Sequence, residues 1–294
     1  MGERKLKPLP FRGRVGVGPV GNPHANLTSP TPSPSPEGEG SRRKVDRINT
    51  APRYTDADAV RLNNMFRGRD TVEMLTILLK ENMLGDAAIV SSFGAESAVL
   101  LHLIASIDPT VPVLFLETGK HFPETIAYRD ELRQRLGLTD LRNLTPGPAL
   151  LAKRDETGLR WSYDPDGCCD IRKIMPLKAA LAPFDAQFTG RKAFQSSTRS
   201  ALPRFEIEDG RLKVNPLADW GRARLDAYMA EHDLPTHPLV ALGYPSIGCS
   251  PCTTKVAAGE DPRSGRWKGW DKVECGIHTE VTLLDNNGAN DPIF

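Results

Sequence analysis

Four of the five cysteines in this chain occur as two close pairs. Cys168 and Cys169 are adjacent, and Cys249 and Cys252 are separated by two residues. Four thiolates can hold one soft metal centre. The fifth cysteine, Cys275, stands apart with a histidine three residues later, and a thiol near cationic groups can act as a nucleophile. The cysteines therefore predict one metal centre and one reactive thiol.

The paired cysteines could also serve as disulfides, as zinc ligands or as inert core residues. Structural disulfides need an oxidising compartment, and the N-terminus lacks the apolar run of a secretory signal peptide. Zinc sites usually draw on two Cys-x-x-Cys turns, and an adjacent pair has poor geometry for that role. Inert buried cysteines would leave the pairing unexplained. In a 4Fe–4S cluster the irons occupy separate corners, so adjacent cysteines can reach different irons, and the pairing favours this cluster over zinc.

Two groups of basic residues could hold an anion for Cys275 to attack. They are Arg191, Lys192 and Arg199 within TGRKAFQSSTR, and Arg263, Arg266 and Lys268 between the Cys-x-x-Cys and Cys275. Cationic side chains beside hydroxyl groups suit a phosphate or a sulfate. Runs of charge are usually solvated surface, but their position after a predicted strand or beside a thiol favours an anion site.

A glycine-containing loop, SSFGAES (residues 91–97), lies between a predicted strand and a predicted helix. Free backbone N–H groups at a helix N-terminus can bind a phosphate, and Ser92, Phe93 and Gly94 are the candidate contacts. Glu96 would repel a long phosphate chain, which favours a small anion. Many ordinary strand-to-helix turns have a similar composition.

A second loop, LETGKHFP (residues 116–123), follows the next predicted strand. Polar residues at the carboxyl end of a parallel strand face the ligand crevice of an open α/β sheet. Backbone groups of Leu116 could contact an adenine edge, and Thr118 and Gly119 could approach a ribose. An ordinary loop is an equally good interpretation of this segment alone.

Alternating strands and helices position these residues. Short apolar runs predict buried parallel strands at residues 87–93, 111–116 and 185–189. Helical patterns start near residue 55 and cover residues 71–82, 98–105, 124–136 and 223–232, while residues 215–220 are predicted to be extended. This rhythm predicts an α/β fold with a doubly wound, mostly parallel sheet and ligands at the carboxyl ends of the strands.

Composition narrows the class of partner. The 294 residues carry a formal net charge of +1, but residues 1–53 hold ten Lys/Arg against four Asp/Glu, so the remainder is mildly acidic. That balance argues against a general nucleic-acid binder. No apolar run is long enough to span a membrane. Residues 1–53 also contain nine prolines, and we expect them to be disordered and dispensable, either as a basic targeting peptide or, as we prefer, as translated sequence ahead of the true start.

Taken together, the motifs resemble the assimilatory adenylyl-sulfate reductases, relatives of the phosphoadenylyl-sulfate reductases. The matching stretches are SFGAE (92–96), FLETG (115–119) with FPET (122–125), the Cys168–Cys169 pair with Lys173, TGR (189–191) through Arg199, NPLADW (215–220), Cys249-x-x-Cys252 and ECGIH (274–278). They extend over about residues 60–280. The fold implied is that of the adenine-nucleotide α-hydrolases.

The resemblance implies roles for the cysteines and their neighbours. Cys168, Cys169, Cys249 and Cys252 would ligate a 4Fe–4S cluster. Cys275 would attack the sulfur of adenylyl sulfate, releasing AMP and leaving an S-sulfocysteine that thioredoxin or glutaredoxin cleaves to sulfite. Lys173 would lie between the cluster and the sulfate group.

Further implied contacts are with the phosphosulfate, from Arg263, Arg266 and His278. Relatives often carry a second arginine and an acidic residue where this chain has Lys192-Ala-Phe, so the contacts of that loop stay open. The cluster-type cysteine set implies a preference for adenylyl sulfate over its 3′-phosphorylated form. Glu117, beside the expected ribose contacts, would oppose a 3′-phosphate, while Lys120 and His121 would partly compensate.

These inferences give a layout in three parts. Residues 1–53 form an N-terminal extension, residues 54–260 form the α/β domain for nucleotide and cluster, and residues 261–294 form a mobile C-terminal segment that carries the nucleophile. We expect a cytoplasmic enzyme, with homo-oligomer formation left open. The alternatives are a 3′-phosphoadenylyl-sulfate reductase, a zinc-containing ATP-using sulfurtransferase of the same superfamily, and an iron–sulfur sensor or scaffold that would have no use for Cys275.

Overall fold

The computed structural model describes residues 53–195, 202–272 and 274–277. Within them, six strands form one sheet: β1 (Ala87–Ser91), β2 (Val113–Leu116), β3 (Leu141–Leu144), β4 (Ala186–Thr189), β5 (Phe205–Glu208) and β6 (Arg211–Val214). Their order is β3-β2-β1-β4-β6-β5. All neighbours pair in parallel except β5, which forms an antiparallel hairpin with β6. The predicted doubly wound, mostly parallel sheet is therefore confirmed.

Helices connect these strands and cover both faces of the sheet. They are α1 (Asp56–Met65), α2 (Thr71–Lys80), α3 (Ser97–Ala105), α4 (Pro123–Arg135), α5 (Pro148–Arg154), α6 (Pro165–Cys169), α7 (Met175–Leu181), α8 (Arg222–Glu231) and α9 (Pro238–Ala241). Short 3-10 turns occupy Arg160–Ser162, Ala193–Gln195 and Ser250–Cys252. None of the helices in the described ranges is both long and apolar enough to span a bilayer.

Alternate residues of the central strands pack into two separate cores. On β1, the side chain of Ile89 joins the larger core, whereas Ala88 and Val90 join the smaller one. This follows from the two-residue period of a strand, which sends successive side chains to opposite faces. Residues of β1 and β2 are almost fully buried because helices cover both faces.

A topological switch point lies between β1 and β4. From β1 the chain adds β2 and β3 on one side, and then crosses back to place β4 on the other side. The loops that leave the carboxyl ends of β1 and β4 therefore diverge and open a crevice, which is where open α/β sheets bind their ligands.

The predicted strands and helices are found, with shifts of a few residues at their ends, but the prediction for residues 215–220 was wrong. After β6 this segment makes turns, with hydrogen bonds from Ala218 N to Asn215 O (3.1 Å) and from Trp220 N to Leu217 O (3.0 Å). The indole Nε1 of Trp220 donates to Thr71 Oγ1 at 2.8 Å, within the core. The turns bring the side chain of Trp220 into that core, and burial of the indole stabilises them.

Two of the three predicted parts of the chain lie wholly or partly outside the residues that the structure describes. Residues 1–52 lie outside them, and so do residue 273 and residues 278–294 of the predicted C-terminal segment. The described part of that segment is hydrogen-bonded to the main domain, from Thr254 N to Gly265 O at 2.8 Å and from Trp267 N to Cys252 O at 3.1 Å. The predicted mobility of the segment stays a prediction.

A buried ion pair fixes the helical stretch that carries the first two cysteines. Arg172 donates from Nη2 (2.5 Å) and Nε (3.1 Å) to Asp155 Oδ2, and from Nη1 to the Thr118 carbonyl at 2.7 Å. The Asp155 side chain is fully buried, and that of Arg172 is 8% exposed. Burial alone would raise the pKa of Asp155, but the hydrogen bonds from Arg172 and from the Arg160 backbone outweigh it and lower the pKa.

We predict that Asp155→Asn lowers the free energy of unfolding by about 3–5 kcal/mol at neutral pH, because Arg172 would be left as an uncompensated buried charge. The stabilisation by Asp155 is complete above the carboxyl's unfolded pKa, about 3.9, and is lost as the pH falls through its lower folded value. Urea denaturation at neutral and acid pH measures both effects. Asp140→Asn, which breaks the exposed pair with Arg142, should cost about 1 kcal/mol or less; equal losses in the two variants would contradict the prediction.

Candidate active site

The crevice at the switch point is a cleft of about 400 Å³. Most of its lining comes from three segments: the loop after β1, the loop after β4, and the chain between Pro245 and Ile277; single residues elsewhere complete it, among them Leu116, His121, Lys173 and Arg222. Of the candidate site residues, those that line the cleft are Ser92, Gly94, Leu116, Lys173, Arg191, Cys249, Arg263, Arg266 and Cys275. The predicted nucleotide loops, cations and nucleophile therefore share one cavity. Two further candidates, Arg199 and His278, lie outside the described residues.

The loop after β1 has a conformation that separates its side chains. Phe93 adopts a positive φ of 48°, and its N–H donates to Ser91 Oγ at 3.2 Å. Its ring is fully buried and packs edge-on against Phe115 at 5.4 Å. Ser92 and Gly94 face the cleft instead. Phe93 can thus contact a ligand only through its backbone, while its side chain anchors the loop to the core.

The loop after β2 contributes less to the cleft than predicted. Leu116 lines it, but Thr118 is fully buried, with its Oγ1 3.4 Å from Cys249 Sγ. Gly119 has a φ of +68° and donates its N–H to Glu117 Oε1 at 3.0 Å. Neither Thr118 nor Gly119 is among the residues that line the cleft, and the ribose contacts expected of them stay a prediction. These two residues support the cysteine side of the site.

His121 lines the cleft, although the sequence suggested for it only a compensating charge beside Glu117. Its Nε2 lies 2.7 Å from the carbonyl oxygen of Leu116, which can only accept, so Nε2 carries the proton. Its ring packs on Phe115 with the centroids 4.9 Å apart. Burial lowers the pKa of His121, and the nearby Lys173 and Arg129 lower it further, so the ring is held neutral. His121 lies in the loop that follows the strand ending at Leu116, and this position was the sequence signal that could have identified it as a site residue.

Two cations after β4 reach the cleft, and each is paired. Arg191 Nη1 donates to Glu206 Oε1 at 2.5 Å. Lys192 Nζ lies 2.7 Å from Glu96 Oε2 and donates to the Gly190 carbonyl at 3.0 Å. Burial would raise the pKa of Glu96, but Lys192 and Arg222 outweigh it and lower the pKa. Glu96 is therefore an ionised carboxylate whose charge is balanced by neighbouring cations.

All four paired cysteines line one small cavity beside the cleft. Cys168 and Cys169 end α6, and Cys249 and Cys252 flank and end a 3-10 turn. All are free thiols. Trp161 and Trp267 close the cavity. The described residues contain no three His, Cys, Asp or Glu side chains placed to hold a single metal ion.

A π-helical turn, Asp170–Ile174, follows Cys169 directly. Such a turn widens the helix to an i→i+5 spacing, so residues four and five apart share a face. Lys173, four residues after Cys169, thereby turns toward the thiol of Cys169, and it lines the same cavity as Cys168. Pro176 in the next turn has no backbone N–H to donate, which explains why the regular α-helical ladder is interrupted here.

Burial and charge act unequally on the four thiols. Burial, with neighbouring thiolates adding to it, raises the pKa of Cys168 to about 12 and that of Cys169 to about 11, and also raises the pKa of Cys252. Burial opposes ionisation of Cys249 as well, but Lys173 and a hydrogen bond with Thr118 outweigh it and lower the pKa. The cavity thus accommodates four thiolates only with additional positive charge, and a metal centre would supply that charge.

Lys173 connects this cavity to the nucleophile, because it lines both. Burial would lower its pKa, but the negative charges of Cys249, Cys275 and Cys169 outweigh burial and raise the pKa. Lys173 is therefore a firmly protonated cation. It stands between the paired thiols and Cys275.

Cys275 is held in the cleft by its neighbours in the chain. Glu274 pairs with Arg263 at 3.3 Å, and Ile277 packs against the smaller core of the sheet. Arg266 is placed by a backbone bridge to Thr253, and its guanidinium stacks on Trp267 at 4.4 Å from the ring centroid. A thiol beside fixed cations, facing a cleft lined by further cations, has the setting of a nucleophile that attacks an anionic electrophile.

Comparison with known proteins agrees with this arrangement. Residues 86–255, more than half of the chain, match the phosphoadenosine phosphosulfate reductase domain family. An adenosine 5′-phosphosulfate reductase of Mesorhizobium japonicum is 50% identical over 246 residues, which cover 83% of this chain and 97% of that protein. A phosphoadenosine 5′-phosphosulfate reductase of Gloeobacter violaceus is 44% identical over 200 residues, covering 66% and 83%.

A solved structure also shares the fold. The crystal structure of phosphoadenylyl-sulfate reductase from Candida auris, in complex with phosphate, superimposes with a TM-score of 0.58 at 24% identity. It covers 70% of this chain and 100% of that one. The family match covers more than half of the chain, and the Mesorhizobium japonicum relative is 50% identical over most of both chains. The chain therefore belongs to the phosphoadenosine phosphosulfate reductase family.

Proposed function

We propose that this protein reduces adenylyl sulfate to sulfite and AMP, as a step of assimilatory sulfate reduction. The observation that carries the proposal is the position of Cys275 in a nucleotide-sized cleft beside Lys173, Arg263 and Arg266. The Mesorhizobium japonicum relative, at 50% identity, is named for the adenylyl-sulfate reaction. The relative named for the 3′-phosphorylated substrate, at 44%, keeps that nucleotide as the second candidate.

In the first step, the thiolate of Cys275 attacks the sulfur of the sulfuryl group. A bond forms between the two sulfur atoms, and the bond from sulfur to the bridging oxygen of AMP breaks. AMP leaves with that oxygen and the electron pair, and the enzyme keeps an S-sulfocysteine. Because a sulfuryl group is densely anionic, attack by a thiolate requires cations that neutralise it, which Lys173, Arg263 and Arg266 supply.

In the second step, a thiolate of thioredoxin or glutaredoxin attacks Cys275 Sγ and releases sulfite. The second thiol of that dithiol then reduces the mixed disulfide and returns Cys275 to its thiol form. The two electrons come from the dithiol, which ends as a disulfide. Such a reductant is kept reduced in the cytoplasm, where we place the enzyme.

The four paired cysteines would ligate a 4Fe–4S cluster. Four soft sulfur donors that line one cavity are the donor set that such a group requires. When bound, the cluster would supply positive charge to the thiolates and rigidity to the segments that carry them. Lys173 keeps its own role as the cation between this centre and Cys275.

We predict that the anoxically purified protein is brown and contains about four irons per chain. Cys168→Ser should lose most of the iron, because one ligand of the centre is removed. Cys275→Ser is the matched control: it also removes a thiol near the centre, but it should retain the iron. Stoichiometric zinc without iron, or an unchanged iron content in Cys168→Ser, would refute the assignment. Metal analysis and the visible spectrum provide the measurement.

We predict that the protein mixed with adenylyl sulfate, without a reductant, gains one sulfonate group on Cys275. Intact-mass and peptide mass spectrometry locate the adduct. Cys275→Ser should form none, and added thioredoxin should remove the adduct from the wild type with release of sulfite. An adduct on another cysteine, or one that persists in Cys275→Ser, would exclude the mechanism.

We predict that Lys173→Gln slows adduct formation by about 10²–10³-fold, the usual effect of removing one preorganised group that stabilises developing charge. Rapid-quench mass spectrometry of single turnovers measures this rate without the reductant. Lys178→Gln, an exposed lysine on α7, is the control and should leave the rate unchanged. Iron content must be equal in both variants, and equal rates at equal iron would show that Lys173 is dispensable.

A further inference from the structure

A chain of hydrogen bonds links β4, β5 and β6 to the cleft. Thr189, the last residue of β4, donates from Oγ1 to Asn215 Oδ1 at 2.5 Å, and Asn215 Nδ2 donates to Glu206 Oε1 at 3.0 Å. The same oxygen of Glu206 accepts from Arg191 Nη1. Asn215 is fully buried, and the side chains of Glu206 and Arg191 are 27% and 12% exposed. Thr189 and Arg191 line the cleft, whereas Asn215 and Glu206 are not among its lining residues.

Arg191 has a donor that the described residues do not satisfy. Its Nε is buried and has no hydrogen-bond partner among them. An unpaired buried donor is costly, and such a group is explained when a ligand supplies the acceptor. Arg266, at the Cys275 end of the cleft, has an unpaired buried Nε in the same way. Each of these two arginines therefore keeps one donor for an anionic oxygen.

Glu206 determines where the guanidinium of Arg191 lies. A long cationic side chain loses rotamer freedom when it binds an anion, so one that is already anchored binds more tightly. Since the sulfuryl group must meet Cys275 and its cations, the phosphate of the nucleotide is the anion left for Arg191. We propose that Glu206 is a positioning residue, which holds Arg191 so that its guanidinium meets the phosphate of the bound nucleotide. The inference rests on the proposed function and adds to its site a residue that does not line the cleft.

Charge alone would give the opposite result. Removing the carboxylate of Glu206 leaves Arg191 with an unbalanced positive charge, which would attract a phosphate more strongly. Removing an anchor frees the guanidinium and weakens binding. The sign of the change in affinity therefore separates positioning from neutralisation.

Glu208 provides a matched control on the same strand. It lies two residues after Glu206 and so projects from the same face of β5, and it forms an ion pair with Lys213. The side chain of Lys213 is 1% exposed, and neither residue lines the cleft. Removing Glu208 deprives a buried lysine of its carboxylate, so Glu208→Ala should lower the free energy of unfolding at least as much as Glu206→Ala. A general loss of stability would therefore affect both variants.

The test compares the affinity for AMP with that for adenosine, which lacks the phosphate. Calorimetry on the anoxically purified protein gives both dissociation constants without any turnover. In Glu206→Ala the dissociation constant of AMP should rise about tenfold, or about 1.4 kcal/mol, the size of one charge-assisted hydrogen bond, and that of adenosine should not change. Glu206→Gln keeps an oxygen that can accept from Arg191 and should bind AMP more tightly than Glu206→Ala does. Glu208→Ala should bind both ligands as the wild type does.

A double-mutant cycle connects the effect to Arg191. Arg191→Gln alone should weaken AMP binding at least as much as Glu206→Ala, and combining the two should weaken it no further. Unchanged or tighter AMP binding in Glu206→Ala, an equal loss for adenosine, or an additive loss in the double variant overturns the proposal. If Glu206→Ala does not fold, Glu206→Asp takes its place, because it keeps the charge but shortens the anchor; unchanged AMP binding there overturns the proposal as well.

Failure of this inference and failure of the proposed reaction give different results. A protein that binds AMP with the expected changes but forms no sulfonate adduct would disprove the reaction and leave the role of Glu206 intact. A protein that forms the adduct, but whose affinity for AMP is insensitive to Glu206, would disprove the role of Glu206 and leave the reaction intact.

Discussion

Lys173 supplies the positive charge on which both parts of the site depend. Burying an ammonium group among helices is costly unless anions compensate it, and here the compensation comes from sulfur: Cys249, Cys275 and Cys169 are its dominant favourable neighbours. The same ammonium lowers the pKa of Cys249. One cation thus makes the cysteine cavity and the nucleophile electrostatically interdependent. Removing any of these thiolates would reduce the electrostatic stabilisation of the charged form of Lys173.

That interdependence requires a rigid frame, and the frame is built from three distant stretches of chain. The ion pair of Arg172 with Asp155 fixes the π-helical turn that presents Lys173. Arg172 also donates to the carbonyl of Thr118, whose hydroxyl lies against Cys249. The loop after β2 therefore contacts the two cysteine-bearing segments at once. This explains why Thr118, placed at the end of a central strand, serves the cysteine cavity rather than the nucleotide.

The sequence was sufficient for the central strands, because runs such as residues 87–93 and 111–116 are apolar enough to be buried on both sides. It was also sufficient for the residues that gather at the switch point, since loops at the carboxyl ends of parallel strands must meet there. It did not reveal β3, a sheet-edge strand in which two half-buried leucines flank the exposed Arg142 and Asn143, or the β5–β6 hairpin. The sequence did not reveal the π-helical turn either. Pro176 interrupts the backbone hydrogen bonds of the surrounding helix, but that helix depends on tertiary packing and was not predicted. Asp164 followed by Pro165 was a usable start signal for α6.

Three side chains of the predicted nucleotide loops point away from the cleft, and they do so for one physical reason. Phe93, Thr118 and Glu117 each lie in a loop that was identified correctly, yet each side chain points away from the cleft because a stronger partner exists elsewhere: the core for Phe93, Cys249 for Thr118 and Arg129 for Glu117. Which residues lie in the loops at the cleft follows from the order of strands and helices along the chain, and a sequence pattern predicts that order. Side-chain direction follows from competition among partners that are distant in sequence. Glu96 illustrates the converse, since its isolated charge was expected to repel phosphate, but in the fold its carboxylate is paired with Lys192, a residue 96 positions away. The electrostatic character of such a cleft therefore depends on which of its charges are already paired with one another, as well as on which charges are present.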